Sequence, residues 1–141
     1  MATNLPSNLS YGTVVGRFLL AYADGIDEDS NPDGAAAKGN IYLTPSIVYL
    51  KDVTASPAPV TIIPSVVVCS LDADGYLISP AGQAGVRLLA TNDTDGNPTG
   101  WTWTVRYKLT DQDDVPVVGI PDQVISVPAG QTIDLSVVGN G

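Results

Sequence analysis

The chain is poor in groups that move protons or hold ions. It has no histidine, one cysteine (Cys69) and one glutamate (Glu28), against fourteen aspartates. Without histidine, Ser–His–Asp and Cys–His nucleophile sites are excluded, and the usual zinc sites with them. Cys69 lies in the apolar run SVVVCSL and reads as a small core hydrophobe, with no imidazole to activate it. Carboxylate pairs are the acid–base device left, yet the aspartates fall in segments rich in glycine and proline. No GxGxxG and no phosphate loop is present. The expectation is a protein that is not an enzyme.

Calcium is the cofactor worth weighing. In DEDSNPDG, Asp29, Asn31, Asp33 and Gly34 occupy positions 1, 3, 5 and 6 of an EF-hand loop register. Position 12 is Asn40 where a bidentate glutamate belongs, and no flanking helices are expected. DADG (Asp72, Asp74) and DTDGN (Asp93, Asp95) are shorter fragments of the same kind. Alternate oxygens suit a hard cation. They equally suit Asx-turns, in which an aspartate accepts from its own backbone two residues on. Plain turns are the expectation, with Asp29, Asn31 and Asp33 the weak calcium candidates.

Both tryptophans sit in GWTWTVRYKL. Trp101, Trp103, Val105, Tyr107 and Leu109 share one parity; Thr102, Thr104, Arg106 and Lys108 take the other. On a strand, parity decides the face. One reading makes the aromatic face a core wall with the cations outward, where they discourage edge pairing. The other exposes Trp101 and Trp103 for stacking on sugar rings or for a partner chain. Trp101 directly follows Gly100 and is expected half out, at the rim of the fold.

These residues must be positioned by strands. The length of 141 residues suits one domain with a real core. Aromatics make up only 6 %, so that core is aliphatic. The preference for aspartate over glutamate favours turns over helices. Tyr11–Ala23 (YGTVVGRFLLAYA) predicts a strand buried on both faces or bulged at Gly16. Residues 24–39 predict a long loop, with at most one helical turn in DGAAAKG. Further short strands are punctuated by Pro45, Pro64, Asp74-Gly75 and the 92–100 turn cluster. Residues 110–123 predict a loop with an edge segment, because Pro116 and Pro121 bar a central strand. The closing stretch predicts a hairpin around Pro128-Ala-Gly130. The fold class expected is all-β: a single antiparallel β-sandwich, or flattened barrel, of about nine short strands. It spans 11–141, after an N-terminal arm over 1–10.

The net charge is −9 and the six cations (Arg17, Lys38, Lys51, Arg87, Arg106, Lys108) are scattered. A nucleic-acid footprint needs them clustered, and anionic lipid repels this sign, so neither partner is expected. MATNLPSNLS lacks the basic and apolar regions of a secretory signal, and no apolar run approaches the roughly 20 residues of a membrane span.

Four stretches, GRFLLAYADGID, SLDADGYLISPAGQAGVRLLAT, GNPTGWTWTVRYKL and VPAGQTIDLSVV, follow in an order that resembles a β-rich module of minor tail proteins, tail-tip and fibre, of phages infecting actinobacteria. The resemblance covers about Tyr11 to Val138. It implies a virion structural protein with other virion proteins as partners, located on the phage tail, and no catalytic set. Homo-oligomers, trimers above all, are the expectation for such proteins. The module is commonly followed by further fibre sequence, whereas this chain stops at VVGNG. That departure keeps a capsid decoration protein open as an alternative. A carbohydrate-binding module gripping a host surface glycan is the other.

Overall fold

Strands form here because β-branched and aromatic segments alternate between turn residues, and each finds a neighbour for its backbone groups. The computed structural model describes residues 5–22 and 33–137. Among these there are twelve strands and no helix. The larger sheet has five strands: β4 (Lys38–Pro45), β7 (Val67–Leu71), β8 (Leu77–Ile78), β10 (Trp103–Thr110) and β11 (Gln123–Ile125), in the order β11-β10-β4-β7-β8. A second sheet holds β1 (Tyr11–Val15), β9 (Val86–Leu89) and β12 (Thr132–Asp134), in the order β12-β1-β9. Two ribbons complete the fold: β2 (Leu19–Tyr22) with β3 (Asp33–Ala36), and β5 (Leu50–Asp52) with β6 (Val60–Ile62).

The main sheet is organised by register. Val105 pairs with Leu43 and Tyr107 with Ile41 across β10–β4, and Ile41 pairs with Cys69 across β4–β7. Because side chains alternate, these partners share one face. That face packs on Val14 of β1 and on Val86 and Leu88 of β9 in one continuous apolar cluster. Fully burying each such Leu, Ile or Val side chain contributes about 1.5–3 kcal/mol. The arrangement is an all-β sandwich with its core between the two sheets.

Several expectations are corrected in detail. The Tyr11–Ala23 strand is two strands, broken at Gly16–Phe18. A Cβ on Gly16 would lie 3.0 Å from the Phe18 ring and 3.3 Å from Leu135 Cβ, so the strand breaks where the backbone is closely packed and a side chain would have to displace its neighbours. The loop expected over 24–39 is strand from residue 33 onward, except at Ala37; residues 24–32 lie outside the described set. The Ala-rich DGAAAKG makes no helical turn. Isolated helices this short do not form in water, and pairing with Leu19–Tyr22 satisfies the same backbone groups. No hairpin closes around Pro128-Ala-Gly130. β11 pairs antiparallel with β10, while β12 crosses to the other sheet and runs parallel to β1. In 110–123 the edge segment is reduced to one bridge, Thr110 to Pro116.

The expected arm over 1–10 includes residues that belong to the folded unit. Leu9 is buried in the core cluster. Ser10 N–H donates to Asp93 Oδ2 at 2.6 Å, and Ala90 N–H donates to Ser10 O at 3.0 Å. These bonds tie the entrance of β1 to the end of β9.

Candidate functional site

Trp101 and Trp103 are 6 % and 2 % exposed. Their rings lie 5.3 Å apart, tilted by 50°. Trp103 Nε1–H donates to Leu89 O at 3.2 Å, satisfying the indole inside the core. The aromatic parity is therefore a core wall. Trp101 is not half out, as its place after Gly100 suggested. Gly100, at φ +78° and with its N–H on Thr91 O, makes the turn that returns the chain to the core at Trp101. Neither indole offers a face to a sugar. Phe18 and Tyr107, both half-buried against the core, meet edge-on at 5.6 Å. Burial raises the Tyr107 phenol above its ordinary pKa, and its hydroxyl donates to Gln123 Oε1 at 2.8 Å.

The aspartates have a shared structural use. Asp72, Asp93, Asp111 and Asp134 each accept, through Oδ1, the N–H two residues ahead, at 2.8–2.9 Å. These are Asx-turns, and their geometry explains the skew in composition: a glutamate is one methylene too long for this closure. Of the calcium candidates, Asp29 and Asn31 lie outside the described residues. Asp33 opens β3, where its backbone pairs with Tyr22. Among the described residues no three Asp, Glu or Cys side chains converge on a common point.

Asp52 stands apart. It is fully buried on β5, facing the core. Its Oδ1 accepts from Asn8 Nδ2 at 2.9 Å and from Thr54 N–H and Oγ1 at 3.2 Å, while Oδ2 has no hydrogen-bond partner. The three donors tie residue 8 and the 53–59 turn to β5, a positioning role. Cys69 is also buried, and burial pushes its thiol up to about 11. A thiol so disposed is inert at neutral pH.

The surface is more informative. Half of the exposed large hydrophobic side chains among the described residues lie between 48 and 68: Val48, Tyr49, Val53, Val60, Ile63, Val66 and Val68. Residues 53–71 carry no charge in a chain of net −9. Ile63 is 72 % exposed and, with Leu5, Pro64 and Val67, lines a groove of about 290 Å³ above Trp103. The outer face of the five-stranded sheet is uncovered as well. Registered rows run Val124–Thr104–Thr44 and Arg106–Tyr42–Val68 across it. A depression of about 420 Å³ lies there among Tyr42, Thr44, Val66, Thr104, Arg106 and Lys108. The cations are scattered because each has a local partner. Arg17, Lys51, Arg87 and Lys108 lie over tyrosine rings at 4.8–5.7 Å, and Lys38 and Arg106 meet Asp114 and Asp122. Of this surface, sequence reasoning named only Arg106 and Lys108 as outward. The missed signal was in SVVVCSL, where both parities are apolar although the fold covers one.

Comparison with known proteins finds no counterpart: no family model, no curated protein and no solved structure matches the chain.

Proposed function

We propose that this protein is a non-enzymatic structural subunit of a phage particle, a tail-tip or fibre component that works by docking on neighbouring virion subunits. The observation that carries the reading is the exposed apolar surface between residues 48 and 68, in a stretch that carries no charge from Val53 onward. Contiguous exposed apolar surface on a folded domain marks a contact site for another macromolecule. The order of motifs along the chain supports the virion assignment. The lack of histidine and the use of aspartate in turns leave little material for catalysis. Glycan binding through the tryptophans is disfavoured, because both indoles are spent in the core.

Electron microscopy of purified particles with this protein labelled tests the reading. Label at the tail tip or fibres is the expected result, and label over the head would assign it to capsid decoration instead. Particles whose protein content lacks this chain would remove the virion role altogether.

A further inference from the structure

We propose that the free edge of β9 takes up an extended segment of a different protein as an added strand, apolar on the side that faces the groove and acidic opposite Arg87. The proposal rests on the docking reading and names the mode of contact and the chemistry of the partner.

The edge follows from register. Ala90 N–H donates to Ser10 O, and Tyr11 pairs with Leu89 and Thr13 with Arg87 across β1–β9. In an antiparallel ladder, hydrogen-bonded and non-hydrogen-bonded pairs alternate. Val86 and Leu88 therefore bond to β1, while Arg87 and Leu89 turn their backbone groups away from it. Two bonds fix that direction independently. Thr13 N–H reaches Gln131 O on the far side of β1, and Leu89 O accepts from the Trp103 indole on the outer side of β9. β9 borders its sheet, so the Arg87 N–H, the Arg87 C=O and the Leu89 N–H project from an open edge. No hydrogen bond meets them among the described residues. Such a row is a template for another strand. It is short and bounded: Leu77 O takes Gly85 N–H at 2.9 Å at one end, and the Trp103 indole holds Leu89 O at the other.

The groove of about 290 Å³ lies along this edge. It is lined by residues 87–89 of β9 and by Ile63, Pro64 and Val67 from the segment that leads into β7. Residues 63–66 form no strand, and Pro64 has no N–H to offer β9, so this chain leaves the edge open. Ile63 is 72 % exposed beside it. An incoming strand buries one row of its side chains here, and that row must be apolar.

Arg87 sets the charge of the partner. It is the charged side chain of the groove lining. Its guanidinium lies over the Tyr11 ring at 5.1 Å, and no carboxylate bridges it among the described residues. Residues 53–71, which supply the opposite wall, carry no charge, so the net −9 of the chain is not concentrated here. The residue that pairs with Arg87 across a new ladder shares its face, and an aspartate or glutamate there meets a cation that one copy leaves without an acid. Backbone pairing supplies the affinity of such contacts, and alternate side chains select the partner.

The test titrates a capped hexapeptide, Thr-Val-Asp-Val-Thr-Val, into the full chain, followed by backbone-amide NMR and hydrogen exchange. In the free protein the Arg87 and Leu89 amides should exchange freely, while the Leu88 amide is protected by β1. Peptide at about 1 mM, enough to populate even a weak complex, should shift and protect those two amides. Lysine in place of the peptide aspartate should weaken binding about fivefold or more, and Arg87→Glu should reverse that preference. Ile63→Asp should weaken binding about tenfold or more, through lost apolar contact. Arg87 and Ile63 are exposed, so both variants should melt within a few degrees of the parent. Slow exchange at Arg87 or Leu89 in the free protein would mean an edge already covered, by the chain itself or by a second copy, and would overturn the proposal. So would unperturbed amides at that peptide concentration, or aspartate and lysine peptides bound alike by parent and Arg87→Glu. An unresponsive edge in a chain that is present in particles would sink this inference and leave the virion reading standing; a responsive edge in a chain absent from particles would do the opposite.

Discussion

Replacing Trp103 by alanine tests the core assignment most directly. Trp103 pairs with Pro45 and Ile125 on its two sides, packs on Trp101, and donates its indole N–H to Leu89 O. Truncating a buried tryptophan costs about 3–5 kcal/mol. Leaving Leu89 O without its donor adds about 1 kcal/mol. Domains of this class are stable by about 5–15 kcal/mol, so the substitution removes a large share of the total. At an unfolding entropy of about 2.1 cal/mol/K per residue, each kcal/mol corresponds to about 3–4 °C in a chain of this length. The expected fall in Tm is therefore about 13–20 °C, read by calorimetry or circular dichroism. Trp103→Phe keeps most of the ring and loses the hydrogen bond, and should fall by about half as much or less. A shift under about 4 °C for Trp103→Ala, with the two variants alike, would refute an inward-facing indole.

Gly12→Ala should destabilise by about 1–3 kcal/mol, the range for overpacking, since its new Cβ would lie 2.3 Å from Val127 Cγ1 and 2.8 Å from Pro128 O; a melt equal to the parent would contradict the close strand approach. Asp52→Ala removes the acceptor of three hydrogen bonds and should cost about 2–3 kcal/mol, whereas Asp52→Asn, which keeps one oxygen, should cost less; equal losses would contradict the role of Oδ1. Cys69 should resist iodoacetamide at pH 8.5 in the native protein and react at once in denaturant. Its folded pKa of about 11 lies above the ordinary 9.0, so the stability that burial of the neutral thiol confers is whole below pH 9 and is lost as pH rises through 11; Cys69→Ser should flatten that part of the pH–stability curve. Chelation with EDTA should leave the parent melt unchanged, and a drop of several degrees would restore an ion to the candidate loop at Asp29, Asn31 and Asp33.

Local rules were most legible where one residue type answers one geometric need. Aspartate at Asp72 and Asp93 read as turn-formers, and both close Asx-turns, because that bond spans two residues and owes nothing to the rest of the fold. The parity of Trp103, Val105 and Leu109 identified the buried wall, since alternation on a strand survives any topology. Reading failed where two segments distant in sequence competed for one edge. Ala35 and Ala36 carry helix propensity but lie in β3, because Leu19–Tyr22 presents an unpaired edge to them. The closing stretch looked like a hairpin, yet β12 joins β1, some 120 residues away in register, as Thr13 faces Thr132.

The amino-acid sequence determined on its own the class of the protein: brief strands, aspartate-closed turns, and an aliphatic core with a tryptophan wall. Those follow from side-chain shape, period and charge, which act over a few residues. Tertiary structure alone decided which apolar faces stayed bare. Val66 and Val68 look no different from Val67 along the chain. Burial depends on whether a second layer covers that side of the sheet, and here the three-stranded sheet covers one face and leaves Arg106, Lys108 and Tyr42 open on the other.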